Sequence, residues 1–232
     1  MNLLLAGIAG AAIVVVAAWR LIRNVVTAAH EAGHALAAIM LGGRLSKIRV
    51  RFNSSGETVC SVPKSRIRAS LCAASGYPAP SIFGAAMFAG VLYGWERFMV
   101  GAAAALLCLS VPFWRGTWTV VVGASSTAVL GAGAYFGNGL ALVVAGFVAG
   151  IGVLGGLRSA SEAVRAPTNR HDSSDVAKVA KGLFMTVAVA KAGLVATMLA
   201  STAVSVNLVR LYLTHGVVSL ADVGMQVVSN RW

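Results

Sequence analysis

Residues 25–41 read VVTAAHEAGHALAAIML, an apolar stretch of helix-forming length with His30, Glu31 and His34 in its middle. Whether this is a core helix or a membrane helix decides the fold, and the rest of the chain makes the choice. Only 11% of the 232 residues are charged, and 58% are hydrophobic. A soluble domain carries about 25% charged residues. This chain has too little charge to coat a water-facing surface, so its long apolar runs belong in a bilayer. A soluble enzyme is excluded.

On the N-terminal side, residues 3–18 are apolar and run into Trp19, Arg20 and Arg23. No positive n-region precedes them and no small-residue cleavage site stands before Trp19, so the segment reads as a retained anchor. On the other side the character changes. Residues 42–68 hold seven basic residues and one acid, Glu57. Within them Lys47-Ile48-Arg49-Val50-Arg51-Phe52 alternates with the period of a strand. Asn53-Ser54-Ser55-Gly56 is a turn signal, and residues 57–62 read as the return strand. The expectation is a hairpin over 43–64, with one apolar and one basic face, at the membrane–water interface.

Four more apolar segments follow, at 69–93, 98–113, 117–136 and 139–157, with Trp95, Trp114 and Trp118 at their ends as in an aromatic belt. The first is interrupted by Gly76-Tyr77-Pro78-Ala79-Pro80, whose prolines free carbonyls that must be satisfied inside the protein. Gly90/Gly94, Gly146/Gly150 and Gly152/Gly156 have the spacing of close helix packing. A polar loop at 158–181 precedes a last apolar helix at about 182–209. The chain therefore reads as an all-α polytopic membrane protein of about six to seven membrane helices with a small interfacial β-hairpin. It forms one domain over 1–232 with no soluble accessory module.

The net charge is +12. Thirteen of the nineteen basic residues fall in 42–68, in 158–181 and at Arg115, which the positive-inside rule assigns to the cytoplasmic side if every segment spans. No basic run interleaves with aromatics, so nucleic acid is not an expected partner. Cys60, Cys72 and Cys108 lie far apart with no CxxC pair and read as small apolar fillers.

The chemistry lies in Thr27-Ala28-Ala29-His30-Glu31-Ala32-Gly33-His34-Ala35. Two histidines four residues apart share one helix face and suit a single zinc ion. Glu31 stands beside them where a general base would take a proton from water made acidic by the metal. Thr27 and Arg23 lie one and two turns earlier on a similar face, candidates for orienting a ligand or touching substrate. A catalytic zinc needs a third ligand, and His171, His215, Glu57, Glu96, Glu162, Asp172, Asp175 and Asp222 are available. Asp172-Ser173-Ser174-Asp175 opens the last long helix, so spacing alone leaves it either an N-cap with a first-turn carboxylate or a ligand.

The motif in an apolar helix, followed at once by a basic hairpin, resembles the site-2 protease family of intramembrane zinc metalloproteases. Trp19-Arg20 through Arg23, Val25-Val26-Thr27 and the HExxH pentapeptide look like a compact bacterial branch. In that branch a Gly-Tyr-x-x-Pro segment follows, matched by Gly76-Tyr77-Pro78-Ala79-Pro80, and a Ser-Asp-Ala-type motif is matched in part by Ser174-Asp175-Val176. The resemblance implies His30 and His34 as zinc ligands, Glu31 as general base, and a late Asp as third ligand, here Asp175 with Asp172 as the alternative. It makes Gly76 and Pro78 candidates near substrate. The better-known members carry Asp-Gly and an Asn near the Gly-Pro, and this chain has neither.

The expected function is hydrolysis of a peptide bond in or next to a transmembrane segment of a membrane-protein substrate, by a multi-pass protein of a bacterial plasma membrane. The strand at 47–52 either pairs with the unwound substrate by strand addition or only seats its basic face among the lipid headgroups. The rival reading is a non-catalytic membrane protein with a metal-binding, transport or scaffold role. Oligomeric state is not legible.

Overall fold

The computed structural model describes residues 2–165 and 174–218. It begins with α1 (Leu3–Ala17) and α2 (Trp19–Met40), which meet at 112° across Ala18. The hairpin follows as β1 (Arg44–Val50) and β2 (Gly56–Ser61), then α3 (Arg66–Ser75), α4 (Ala79–Leu92) and α5 (Glu96–Ser110), which ends in a 3-10 turn at Val111–Phe113. Next come α6 (Thr117–Phe136) and α7 (Asn138–Gly150), which runs through a π-helical turn at Ile151–Gly155 into α8 (Gly156–Arg165). After the undescribed residues 166–173 come α9 (Asp175–Gly182) and α10 (Val187–His215).

Among the described residues, four stretches are long and apolar enough to cross a bilayer: Glu96–Phe113, Thr117–Phe136, Gly139–Arg165 and Val187–His215. The bent pair α1–α2 makes a fifth if taken as one span. The segments at 3–18, 25–41 and 69–93 account for the higher expected number. They are apolar, but two meet at an elbow and the third splits at Gly76-Tyr77-Pro78 into α3 and the short apolar α4. Large apolar side chains face outward, with Val16 77%, Leu109 72% and Phe136 72% exposed. An outer surface of this kind needs lipid as solvent.

The described parts of the polar stretch at 158–181 are mostly helical. Its first part continues the preceding span as α8, and its last part forms α9. The last long helix begins at Val187, not near 182, because α9 ends at Gly182 with Leu183 as its C-cap and Thr186 opens a new helix by accepting from Val189 N–H.

The α1–α2 elbow is clamped by α8. The Trp19 indole donates to Glu162 at 2.8 Å, Arg23 pairs with the same carboxylate at 3.3 Å, and the Arg158 guanidinium lies 4.8 Å over the Trp19 ring. Arg158 also donates to the Val15 carbonyl, supplying a partner where α1 runs out of its own.

The main core joins α1, α4, α5 and α7 through Leu4, Phe88, Val91, Val100 and Ala145. Glycines set how closely these helices approach. A β-carbon on Gly7 would overlap the Val143 carbonyl, and one on Gly146 would stand 2.7 Å from the Leu4 carbonyl. On α4, one on Gly84 would stand 2.7 Å from the Ala149 carbonyl. Small-residue seams of this kind bring backbones into van der Waals contact where no hydrophobic force drives helix association.

The hairpin is antiparallel, pairing Lys47 with Val59 and Arg49 with Glu57, with a bulge between Leu45 and Lys47. Ile48 and Val50 are buried, whereas Arg49 and Arg51 are exposed, the two faces expected from the alternation. Glu57 pairs with Lys47 at 2.8 Å and Arg51 at 3.1 Å, and the bond from Lys47 holds its carboxyl below the usual value.

Gly7→Leu is expected to destabilise the detergent-solubilised protein by about 1–3 kcal/mol through overpacking, read as a lower thermal midpoint. Gly193→Leu on α10, where nothing lies within 4 Å of the new β-carbon, is expected to leave the midpoint nearly unchanged.

Candidate metal centre

The second half of α2 carries His30 and His34 one turn apart, and α9 opens opposite them. Ser174 is the N-cap of α9, its hydroxyl accepting from Ala177 N–H, which places Asp175 in the first turn. The cap and the carboxylate are thus different residues. A small core of Ala73 on α3 with Val176, Val179, Ala180 and Ala190 seats α9. The Asp175 Oδ2 atom then lies 3.0 Å from His34 Nε2 and 3.4 Å from His30 Nε2, and the two nitrogens are 3.1 Å apart.

Three lone-pair donors converging without a proton donor among them would repel. The His34 tautomer sharpens this. His34 Nδ1 donates to the Cys72 carbonyl at 2.7 Å, so in the neutral ring Nε2 is the bare nitrogen and points at the other two donors. Two imidazole nitrogens and a carboxylate oxygen suit zinc, and ligands about 2.0–2.2 Å from one tetrahedral ion stand roughly 3.3 Å apart. The observed separations fit that requirement. Lys178 holds the other carboxylate oxygen, Oδ1, at 2.9 Å, leaving Oδ2 for the site.

Two glycines keep the site open. A β-carbon on Gly76 would overlap His34 Nε2 and lie 2.6 Å from His30 Nε2, in the space a metal and its water need. One on Gly56, at the start of β2, would overlap the Glu31 carboxylate. Glu31 is only 5% exposed, and no described residue forms a hydrogen bond or ion pair with its carboxylate. A carboxylate on a buried residue, with no partner among the described residues and next to converging metal donors, is free to act on a water molecule. The Tyr77 ring packs edge-on against His30 with centroids 4.9 Å apart.

The remaining candidates go elsewhere. Arg23 turns from the site to Glu162, which is itself occupied by Trp19. Thr27 donates to the Ser54 carbonyl at 3.0 Å and so pins the hairpin turn to α2. Pro78 is the N-cap of α4. Glu57 belongs to the hairpin, Glu96 opens α5 and His215 ends α10. Asp172, His171 and Asp222 lie outside the described residues. Gly56, Cys72 and Tyr77 were not singled out as site residues from sequence. For Gly56 and Cys72 no local signal exists, because their roles arise from backbone atoms brought in by packing.

The hairpin edge also differs from expectation. Arg115 N–H donates to the Ile48 carbonyl at 3.0 Å, and Thr119 Oγ1 bonds both Val50 N–H at 2.9 Å and the Val50 carbonyl at 3.2 Å. The outer edge of β1 is therefore sealed, and the strand at 47–52 has no room for a pairing partner. Since the Ile48 backbone carbonyl points away from β2 and Ile48 is paired with Thr58, the Thr58 backbone groups point away from β1 on the opposite edge. No partner meets them among the described residues. The Thr58 hydroxyl donates to the Glu31 carbonyl at 3.1 Å, so this open edge runs beside the general-base candidate.

Two histidines and one carboxylate that could hold a metal ion, only partly exposed within an apolar helical bundle, fit a membrane metalloprotein. The family model described as Peptidase M50B-like matches residues 3–209, and the chain belongs to that family, the site-2 protease family of membrane metalloproteases. No curated protein and no solved structure matches the chain.

Gly76→Ala is expected to abolish stoichiometric metal binding while the protein stays folded, because the methyl group occupies the space between the histidines. Metal content per chain in purified protein measures this. Full zinc content in the variant would mean that the donors close elsewhere.

Proposed function

We propose that this protein is a zinc-dependent endopeptidase that cuts peptide bonds in or next to transmembrane segments of other membrane proteins, as a multi-pass protein of a bacterial plasma membrane. The observation that carries the reading is the carboxylate of the buried Glu31, which has no partner among the described residues, beside the converging His30, His34 and Asp175 donors. His30, His34 and Asp175 would hold the ion, which when bound acidifies water and polarises a carbonyl. Glu31 takes the proton from the attacking water and delivers it to the departing amine. Gly76 leaves room for the reacting groups, and the Cys72 carbonyl keeps the His34 ring in its ligating orientation.

A substrate helix hides its carbonyls in its own hydrogen bonds, so it must unwind before cleavage. The free edge of β2 at Thr58 offers an extended segment backbone partners beside Glu31, the geometry of strand addition. The basic outer face of the hairpin, with Arg49 and Arg51, suits the headgroup region of the bilayer.

The test uses a reporter with a single transmembrane helix interrupted by Asn-Pro, incubated with purified protein. Glu31→Gln is expected to lower cleavage by about 10²–10⁴-fold and to keep its zinc. Cleavage at the wild-type rate in that variant would defeat the protease reading. In the same assay Thr58→Pro, which removes the outward N–H, is expected to lose cleavage while retaining metal. Thr58→Val, which keeps the N–H, is expected to remain active, and equal activity in the two variants would exclude strand addition at β2.

A further inference from the structure

Cys60 on β2 and Cys72 on α3 are remote from each other in sequence spacing and carry no redox motif, yet their sulfurs lie 3.7 Å apart. Both are free thiols; Cys60 is partly exposed and Cys72 is buried. Cys72 also touches the metal centre twice. Its carbonyl accepts the His34 Nδ1 proton at 2.7 Å, and its thiol donates to the His34 carbonyl at 3.5 Å. Ser75 Oγ donates to the same Cys72 carbonyl at 2.7 Å, so the turn of α3 that orients His34 is also the turn that carries the thiol.

We propose that Cys60 and Cys72 form a reversible intramolecular disulfide, closed by a peroxide-class oxidant, and that closing it weakens the neighbouring metal centre. The step balances with one hydrogen peroxide. The Cys60 sulfur, the more accessible of the two, attacks a peroxide oxygen. The O–O bond breaks, the thiol proton leaves with the departing oxygen as water, and Cys60 becomes a sulfenic acid. The Cys72 sulfur then attacks that sulfur, its proton leaves with the hydroxyl as a second water, and the S–S bond forms. The two sulfurs are oxidised and the peroxide is reduced.

Bond formation brings the sulfurs to about 2.05 Å, a closure of roughly 1.6 Å that β2 and α3 must share. It also removes the thiol proton that Cys72 gives to the His34 carbonyl. Altering the partner that orients a ligating histidine typically costs about 10–100-fold in metal affinity or activity. The consequence for cleavage rests on the protease reading above, whereas the disulfide and its effect on metal retention do not.

The experiment uses full-length protein in detergent with Cys108→Ser, so that only the pair can react. Samples with and without hydrogen peroxide are denatured, alkylated with N-ethylmaleimide and weighed intact. Two adducts before oxidation and none after, restored by dithiothreitol, are expected. Two adducts after oxidation, loss that dithiothreitol does not reverse, or a covalent dimer would overturn the disulfide. Zinc transfer to a chromogenic chelator is then timed and is expected to be about tenfold faster in the oxidised protein. Adding Cys60→Ser is expected to remove this response to peroxide. An unchanged transfer rate in protein whose disulfide has closed would overturn the coupling. Reporter cleavage is expected to fall by a similar factor and recover on reduction. Reduced protein that keeps its zinc but never cuts the reporter would defeat the protease reading alone.

Discussion

The hydrogen bond from His34 Nδ1 to the Cys72 carbonyl holds the site together. It joins α2 to α3 and fixes which imidazole nitrogen faces Asp175. It also demands that α3 end close enough for Gly76 to lie against both histidines. A carbonyl can serve in this way only where it is not committed to its own helix. α3 ends three residues later, before the proline-bearing start of α4, so the break in the apolar segment and the orientation of a ligand are two results of one local sequence.

The same logic runs through the other irregular elements. A bilayer tolerates non-helical backbone only where protein encloses it, and here the interruptions gather around the site. The α1–α2 elbow, the α3–α4 break and the hairpin all border α2, while the uninterrupted α6 and α10 lie toward the lipid with most of their length exposed. The regular helices act as a sleeve for a small irregular interior. Glu162 and Arg158, charged groups at the end of a long span, are held there by the tryptophan and the carbonyl that the elbow presents to them.

The membrane class, the hairpin and the apolar runs were legible because each is written in local periodicity or composition. His30 and His34 were legible for the same reason, being one helical turn apart. Asp175 was not, since 141 residues separate it from His34 and its position depends on how α9 packs on α3. Only family resemblance reached it. The elbow at Ala18 was invisible because no proline or glycine marks it and its clamp comes from residues 158 and 162. The sealed edge of β1 was missed because Thr119 on α6 supplies the seal. The cysteines misled by spacing, since β2 and α3 both pack on α2 and bring together sulfurs that a motif search treats as strangers.

Gly33 lies between the two histidines and faces α3 and α4. A β-carbon there would overlap that of Ala79 and lie 2.8 Å from the Ser75 carbonyl. Its neighbour Ala32 is only partly buried and already carries a methyl group. The two unspecified positions of the HExxH pattern are therefore not equivalent in this chain. One is a spacer, and the other is the point where two helices cross. The pentapeptide encodes a contact distance as well as a set of donors, so a chain could keep every chemical group of the motif and still lose the centre through one added carbon.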